Sequence, residues 1–251
     1  MKDWLNKLKS YDPVELIIGM DVLFFFLSFL FFSFGWFRFS WISLPHDFQN
    51  LGFQPWTIVT YAFFHAKFIA LVFNMILLYY FGYTCLEFIN EKKFLWIFFS
   101  GIILGGLTFI WSYKLFPNLY INTGALLGAS SGIMAVMTYI SLKQPKYSLH
   151  IRFLGPVKLV HLLIFFILFN LLQIPLGNPG GYFAHLGGFI AGLVIFALDK
   201  LQPDPIQSSP SETVEFGKNY RLNKILEKIN RSGYESLTDD EKEFLFREGK
   251  D

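Results

Sequence analysis

Charged residues are scarce in this chain of 251 residues. Asp, Glu, Lys and Arg together make up 16% of it, against about 25% in a typical soluble domain. Hydrophobic residues make up 53%, and 32 residues are Phe. The composition argues against a water-soluble enzyme and predicts that lipid is the solvent for most of the chain.

Cysteine and concentrated positive charge are also nearly absent. The single cysteine, Cys85, has no companion for an internal disulfide or for a Cys-based metal site. The formal net charge is only +2, and Lys and Arg are spread along the chain, so no basic stripe is available to neutralise a phosphate backbone. The sequence predicts no nucleic-acid partner, no metal and no cofactor.

What the chain does have is a series of long apolar stretches. Crossing about 30 Å of hydrocarbon takes roughly 20 helical residues, and six stretches come near that length. They span residues 17–37, 58–86, 94–113, 124–142, 157–174 and 182–198. The predicted fold class is therefore all-α, a polytopic membrane protein with six transmembrane helices.

The loop cations predict the orientation of these spans. Lys and Arg are frequent before the first span, between the second and third, between the fourth and fifth, and after the last, whereas the alternate loops hold only Arg38 and Lys114. By the positive-inside rule both termini are predicted to be cytoplasmic. We expect a multi-pass integral membrane protein, and the six-span form with a short tail suggests a bacterial plasma membrane.

The composition changes after the last span. The membrane domain is predicted over residues 1–200, and a Pro- and Ser-rich flexible linker over 201–218. Residues 219–251 are predicted to form a small cytosolic helical tail. Its first helix ends near Gly233, and Thr238 with Glu241 forms a capping box that opens the second helix.

Three polar residues in the apolar spans lie at one predicted depth. Ser130 precedes Lys143 by 13 residues, His185 precedes Lys200 by 15, and Asn74 precedes Glu87 by 13, which puts each roughly 20 Å from one membrane edge. Polar groups inside a span are costly and are therefore functional candidates. A Ser, a His and an Asn supply a nucleophile, a general base and an amide donor for an oxyanion, which is the chemistry of acyl transfer.

Small residues predict that two of these helices pack closely. Gly128 and Gly132 lie four apart around Ser130, and Gly188 and Gly192 lie four apart beyond His185. Such spacing lets helix backbones approach each other, as a Ser–His hydrogen bond requires. No acidic residue is placed to complete a triad, since Asp199 lies 14 residues from His185 on the same helix. A serine hydrolase built on these residues is expected to use a dyad.

At these residues the chain resembles the rhomboid family of intramembrane serine proteases. The similarity rests on three motifs: Gly-Ala-Ser-Ser-Gly at 128–132, Ala-His-Leu-Gly-Gly at 184–188, and the segment from His65 to Asn74. It implies a six-helix bundle over about residues 14–200 that cleaves single-span membrane proteins within the bilayer. It also implies catalysis by Ser130 and His185, with an oxyanion site formed by Asn74, the Ser130 backbone N–H and His65.

The chain departs from the family pattern at three positions. Ser131 stands where the nucleophile motif usually has its second Gly, and Ser130 is the better nucleophile because Met134 then falls where the family places a bulky residue beside the base. Ala70 replaces a second His on the second span, which removes an oxyanion donor worth about 3 to 4 kcal/mol on general precedent. Thr57 replaces an Arg of the first loop, which bears on loop anchoring.

Two other classes of function remain open from the sequence. A weak or inactive rhomboid-like protein that binds client transmembrane helices would keep the glycine packing, and Ala70 points in that direction. A haem-binding or proton-coupled protein would need paired histidines or intramembrane carboxylates, and the candidate histidines His65 and His185 lie at different depths. Transmembrane substrates and the lipid bilayer are the predicted partners; the oligomeric state is left open.

Overall fold

The computed structural model describes residues 12–120, 124–151, 155–173, 179–201 and 218–248, and these are predominantly helical. The helices are α1 Pro13–Ser33, α2 Phe48–Phe53, α3 Thr57–Thr60, α4 Phe68–Leu86, α5 Glu91–Leu115, α6 Ser130–Lys143, α7 Leu159–Gln173, α8 Pro179–Leu201, α9 Lys218–Ser232 and α10 Asp239–Glu248. A short antiparallel hairpin, β1 Ser148–Ile151 with β2 Gly155–Lys158, precedes α7.

Four of these helices, α1, α4, α5 and α8, are long and apolar enough to cross a membrane. The protein is thus a helical membrane protein with several candidate spans, in agreement with the predicted class. The fourth and fifth predicted spans correspond to α6 and α7, which have 14 and 15 residues. Fourteen residues rise only about 21 Å, so six crossings stay a prediction.

The sequence overestimated the helical length of three spans. The stretch 124–142 is helical only from Ser130, because Leu126 pairs its backbone with Leu44 and Gly128 adopts a φ of 114°. The stretch 157–174 begins as strand β2, and 58–86 includes α3 and a 3-10 turn before α4 starts. Hydropathy does not register these breaks, since irregular backbone at membrane depth is tolerated where protein buries it.

Helices α5, α6 and α8 form the centre of the bundle, and α8 meets the backbone of α6 at two glycines. A Cβ added to Gly188 would lie 2.1 Å from the Ser131 carbonyl oxygen, and one added to Gly192 would lie 2.4 Å from that of Ala135. Gly132 packs instead against Phe98 of α5. Gly128, also predicted to pack helices, precedes α6, and its left-handed backbone serves the turn into that helix.

A polar cluster joins the same three helices at one end of the bundle. The Asp199 carboxylate of α8 lies 2.7 Å from the Lys93 Nζ of α5 and 3.8 Å from the Lys143 Nζ of α6. It also accepts a hydrogen bond from the Tyr139 hydroxyl at 2.5 Å. Two cations and a hydroxyl around one partly buried carboxylate fix the relative positions of the three helix ends.

Helix α1 packs on α4 through one narrow face and leaves its other faces open. Val14 fits against Gly82, where an added Cβ would lie 2.7 Å from Val14 Cγ2. Asp21 lies on this packed face, fully buried, and neither of its carboxylate oxygens has a hydrogen-bond partner among the described residues. Large apolar side chains such as Phe29 and Phe32 are more than half exposed, as suits a helix that faces lipid.

The loop between α1 and α4 is held together by hydrogen bonds from its side chains to its own backbone carbonyls. The Trp56 indole donates to the Trp41 carbonyl at 2.7 Å, and the Thr60 hydroxyl donates to the Ile42 carbonyl at 3.1 Å. Thr57 is fully buried and its hydroxyl donates to the Gln54 carbonyl at 2.6 Å. This threonine therefore anchors the loop locally.

The tail forms a helical pair with a core of its own. Ile225 of α9, Leu237 and Phe244 of α10 are buried together. The Thr238 backbone N–H donates to the Glu241 carboxylate at 2.7 Å, and the Glu241 N–H donates to the Thr238 hydroxyl at 3.3 Å. These two bonds are the capping box expected from the sequence. The predicted linker falls mostly outside the described residues.

Candidate active site

Ser130 is the first residue of α6. The chain turns at Gly128, whose φ of 114° suits a residue without a Cβ, and Ala129 then stands at the N-cap position without a side-chain cap. The first backbone N–H groups of a helix have no intrahelical acceptor, and the N-terminus carries partial positive charge. The Ser130 hydroxyl thus lies at a helix end whose first N–H groups have no intrahelical acceptor.

His185 of α8 faces this hydroxyl. Its Nε2 lies 2.7 Å from Ser130 Oγ, within the range of a hydrogen bond between a nucleophile and a general base. Both side chains are partly exposed, so the pair is open to a small molecule. The close approach of α6 and α8 at Gly188 and Gly192 brings the two residues together across 55 positions of sequence.

A third residue, Asn170 of α7, completes a chain of hydrogen bonds. Its Oδ1 lies 2.5 Å from His185 Nδ1, on the opposite side of the ring from Ser130. The sequence offers no acidic residue for this position, and the structure places an amide there instead. An Asn within the apolar run 162–172 was the signal that could have found it, because a polar side chain there needs a specific partner.

The predicted oxyanion residues Asn74 and His65 lie together beside the turn that leads to Ser130. Asn74 Nδ2 is 2.8 Å from His65 Nε2, and a Cβ added to Gly128 would lie 3.4 Å from that same Nδ2. His65 is buried, with 2% of its surface exposed. Its Nδ1 has no hydrogen-bond partner among the described residues, and Ala70 is exposed.

Ser131 points away from this site into the core. It is 1% exposed, and its Oγ lies 2.7 Å from the Tyr61 hydroxyl, which also donates to the Ile102 carbonyl at 2.7 Å. Since a tyrosine hydroxyl has one hydrogen, Ser131 is the donor to Tyr61. Its hydroxyl is therefore committed to a buried network that does not include His185.

A known protein family matches the part of the chain that contains this site. The family model described as "Rhomboid domain" matches residues 52–200, more than half of the chain. The chain belongs to the rhomboid family. The matched region contains Asn74, Ser130, Asn170 and His185, so the whole hydrogen-bonded site of this rhomboid lies within the domain.

A curated relative supports the same assignment. "Rhomboid-like protease 3" of Toxoplasma gondii is 29% identical to this rhomboid over 147 residues, which are 57% of this chain and 51% of that protein. The chain spans about half the length of this relative. Among the residues that the structure describes in the rhomboid, no group of three or more His, Cys, Asp or Glu side chains is placed to hold a metal ion.

Proposed function

We propose that this rhomboid is an intramembrane serine endopeptidase that cleaves single-span membrane proteins. The observation that carries the proposal is the 2.7 Å contact between Ser130 Oγ and His185 Nε2 in a partly exposed site. A hydroxyl and an imidazole at this distance are the nucleophile and base of acyl transfer. Cleavage takes place within the lipid bilayer, and both termini lie on the cytoplasmic side of a bacterial plasma membrane.

The first chemical step uses the dyad. A substrate helix presents an extended peptide bond, Ser130 Oγ attacks its carbonyl carbon, and His185 Nε2 takes the hydroxyl proton. The negative charge that develops on the carbonyl oxygen needs donors already in position. The N-terminal N–H groups of α6, beginning with Ser130, and the Asn74 amide are the donors close to that point, and His65 holds the amide in place.

The second step releases the products. His185, now protonated, gives its proton to the departing amine, and the bond between Ser130 and the acyl group remains. His185 then takes a proton from water, which attacks the acyl carbon, and gives that proton to Ser130 Oγ as the bond between Oγ and the acyl carbon breaks. Both half-reactions use the same imidazole nitrogen, because Nδ1 on the other side of the ring is occupied by Asn170.

Probe labelling and cleavage of a transmembrane peptide test this proposal together. Purified full-length protein in detergent is exposed to a fluorophosphonate probe and, separately, to a fluorogenic transmembrane peptide. We expect labelling at Ser130 and cleavage, both abolished in Ser130→Ala and His185→Ala. Ser131→Ala is the matched control, since it removes the adjacent hydroxyl, and it should keep both signals. Cleavage that persists in Ser130→Ala would refute the proposal.

A second candidate function is the binding of client transmembrane helices without cleavage. Two observations favour it: Ala70 offers no donor to an oxyanion, and the Asn74 amide is already bonded to His65. This candidate predicts that wild-type protein retains the transmembrane peptide with equal affinity whether or not Ser130 is present, while neither labelling nor cleavage is detected.

A further inference from the structure

Asn170 is held in one orientation by two hydrogen bonds, one that its amide nitrogen donates and one that its amide oxygen accepts. Its Nδ2 lies 2.7 Å from the Phe166 carbonyl oxygen, one turn earlier on α7. A carbonyl oxygen only accepts, so the amide nitrogen must face it. The amide oxygen is then the atom that lies 2.5 Å from His185 Nδ1, and the orientation of the amide follows from its backbone partner.

This orientation determines which imidazole nitrogen carries the proton. An amide oxygen has no hydrogen to donate, so His185 Nδ1 must be the donor. In a neutral imidazole the other nitrogen, Nε2, then has a free lone pair. Nε2 is the atom that lies 2.7 Å from Ser130 Oγ. The Ser130 hydroxyl therefore donates to a nitrogen that is ready to take its proton.

We infer that Asn170 is a positioning residue that fixes His185 as the Nδ1–H tautomer and directs its Nε2 at Ser130. The part it plays in catalysis rests on the proposed function, whereas its effect on the imidazole does not. The ring of Tyr182 also contacts the imidazole, edge-on, with the two ring centroids 6.1 Å apart. That contact limits the tilt of the ring but does not distinguish its two nitrogens.

A purely structural amide would leave a different signature. A hydrogen bond between α7 and α8 that only holds two helices together would contribute to the free energy of unfolding, with no effect on the proton position in a folded protein. In contrast, an amide that selects the tautomer changes kcat more than KM, because the substrate-binding surface is left intact. Kinetic and spectroscopic measurements therefore distinguish a structural role of Asn170 from a positioning role.

The kinetic test compares Asn170→Leu, which removes the acceptor at similar size, with Asn170→Asp, which keeps an acceptor oxygen. We expect kcat to fall about 10- to 100-fold in Asn170→Leu, by analogy with the partners that orient metal-ligating histidines, with KM changed less than about twofold. Asn170→Asp should recover most of kcat. Its carboxylate favours the imidazolium, so the acidic limb of its pH–rate profile should move to higher pH.

The control for these variants is Leu168→Ala, at an exposed position of the same helix. It should keep the kcat and pH profile of the wild type. A folded Asn170→Leu protein with wild-type kcat and an unchanged pH profile would overturn the inference. So would a loss of activity in Asn170→Leu that Asn170→Asp fails to restore.

A spectroscopic test works even if the proposed function fails. The protein is labelled with ¹⁵N in its histidine rings, and the His185 signal is assigned by its loss in His185→Gln. In the Ser130→Ala background, which has no nucleophile at the dyad, we expect a protonated Nδ1 and a bare Nε2. Adding Asn170→Leu should shift the population toward the Nε2–H form. Spectra that do not differ between these two proteins would refute the inference, whatever the outcome of the cleavage assays.

Discussion

The hydroxyls of Tyr61 and Ser131 lie 2.7 Å apart in the core. This contact gives Ser131 a different hydrogen-bond partner from that of the adjacent Ser130. The Ser130 hydroxyl points toward His185. The Ser131 hydroxyl donates a hydrogen bond to Tyr61, which in turn donates one to the Ile102 carbonyl. The second serine therefore has a structural partner in the place where the family usually has a glycine.

Removing the Tyr61 hydroxyl should cost more stability than removing that of Ser131. Tyr61→Phe leaves the Ser131 hydroxyl buried without its acceptor, which typically costs about 1 to 3 kcal/mol. Ser131→Ala leaves Tyr61 bonded to Ile102 and should cost less. Thermal unfolding in detergent measures both variants. Equal melting temperatures for the two would contradict the proposed direction of the hydrogen bonds.

Adding a methyl group at Gly188 should separate α6 from α8. The new Cβ would meet the Ser131 carbonyl oxygen at 2.1 Å, and overpacking of this kind typically costs about 1 to 3 kcal/mol. We expect Gly188→Ala to lower the melting temperature and to weaken probe labelling of Ser130, because the distance from Ser130 Oγ to His185 Nε2 depends on this contact.

The matched control for that variant is Gly19→Ala. Gly19 lies in α1, where an added Cβ meets nothing within 4 Å, and the higher helix propensity of alanine favours the folded state by up to about 1 kcal/mol. Its melting temperature should be unchanged or higher. A Gly188→Ala protein as stable as Gly19→Ala would show that the two helices do not meet at this glycine.

Replacing the buried carboxyl of Asp21 should stabilise the protein. Both oxygens lack hydrogen-bond partners among the described residues, and a polar group buried in this way costs about 1 to 3 kcal/mol in mutational data. Leucine has the same number and branching of side-chain heavy atoms, so Asp21→Leu should raise the melting temperature.

Ser28→Ala on the same helix serves as the comparison for Asp21. The Ser28 hydroxyl donates to the Phe25 carbonyl within its own helix, and its removal should leave the melting temperature near that of the wild type. A lower melting temperature in Asp21→Leu would mean that the carboxyl has a stabilising partner.

The tail should lose stability at acidic pH through Glu241. Although partial burial raises the pKa of Glu241, hydrogen bonds from Lys228 and the Thr238 backbone, with the charge of Lys228, lower it below its usual value. A carboxylate with a depressed pKa stabilises the fold above its unfolded pKa, about 4.3, and this contribution is lost as the pH falls through the lower folded pKa.

Amide hydrogen exchange of α10, corrected for intrinsic rates at each pH, measures this effect. Protection should fall between pH 6 and pH 3 in the wild type, and Glu241→Gln should remove much of that dependence. Glu243→Gln, on an exposed side chain of the same helix, should behave like the wild type. A wild-type pH dependence retained in Glu241→Gln would assign the effect to another group.

The residue pattern alone was enough for the membrane class and the family, and it singled out Ser130 and His185 as candidates. These follow from composition, from the length of apolar stretches and from motifs whose members lie close in sequence. The start of the helix at Ser130 was not foreseen, since hydropathy treats the non-helical segment 124–129 as part of a span.

Only the tertiary structure decided which nitrogen of the His185 imidazole carries the proton. Asn170 and His185 lie on different helices, and the proton position on the ring follows from an amide whose orientation is set by the Phe166 carbonyl. Likewise, the direction of Ser131 depends on Tyr61, 70 residues away. Hydrogen bonds of this kind depend on the angles and distances between packed helices, which residue types and spacing along one chain do not specify.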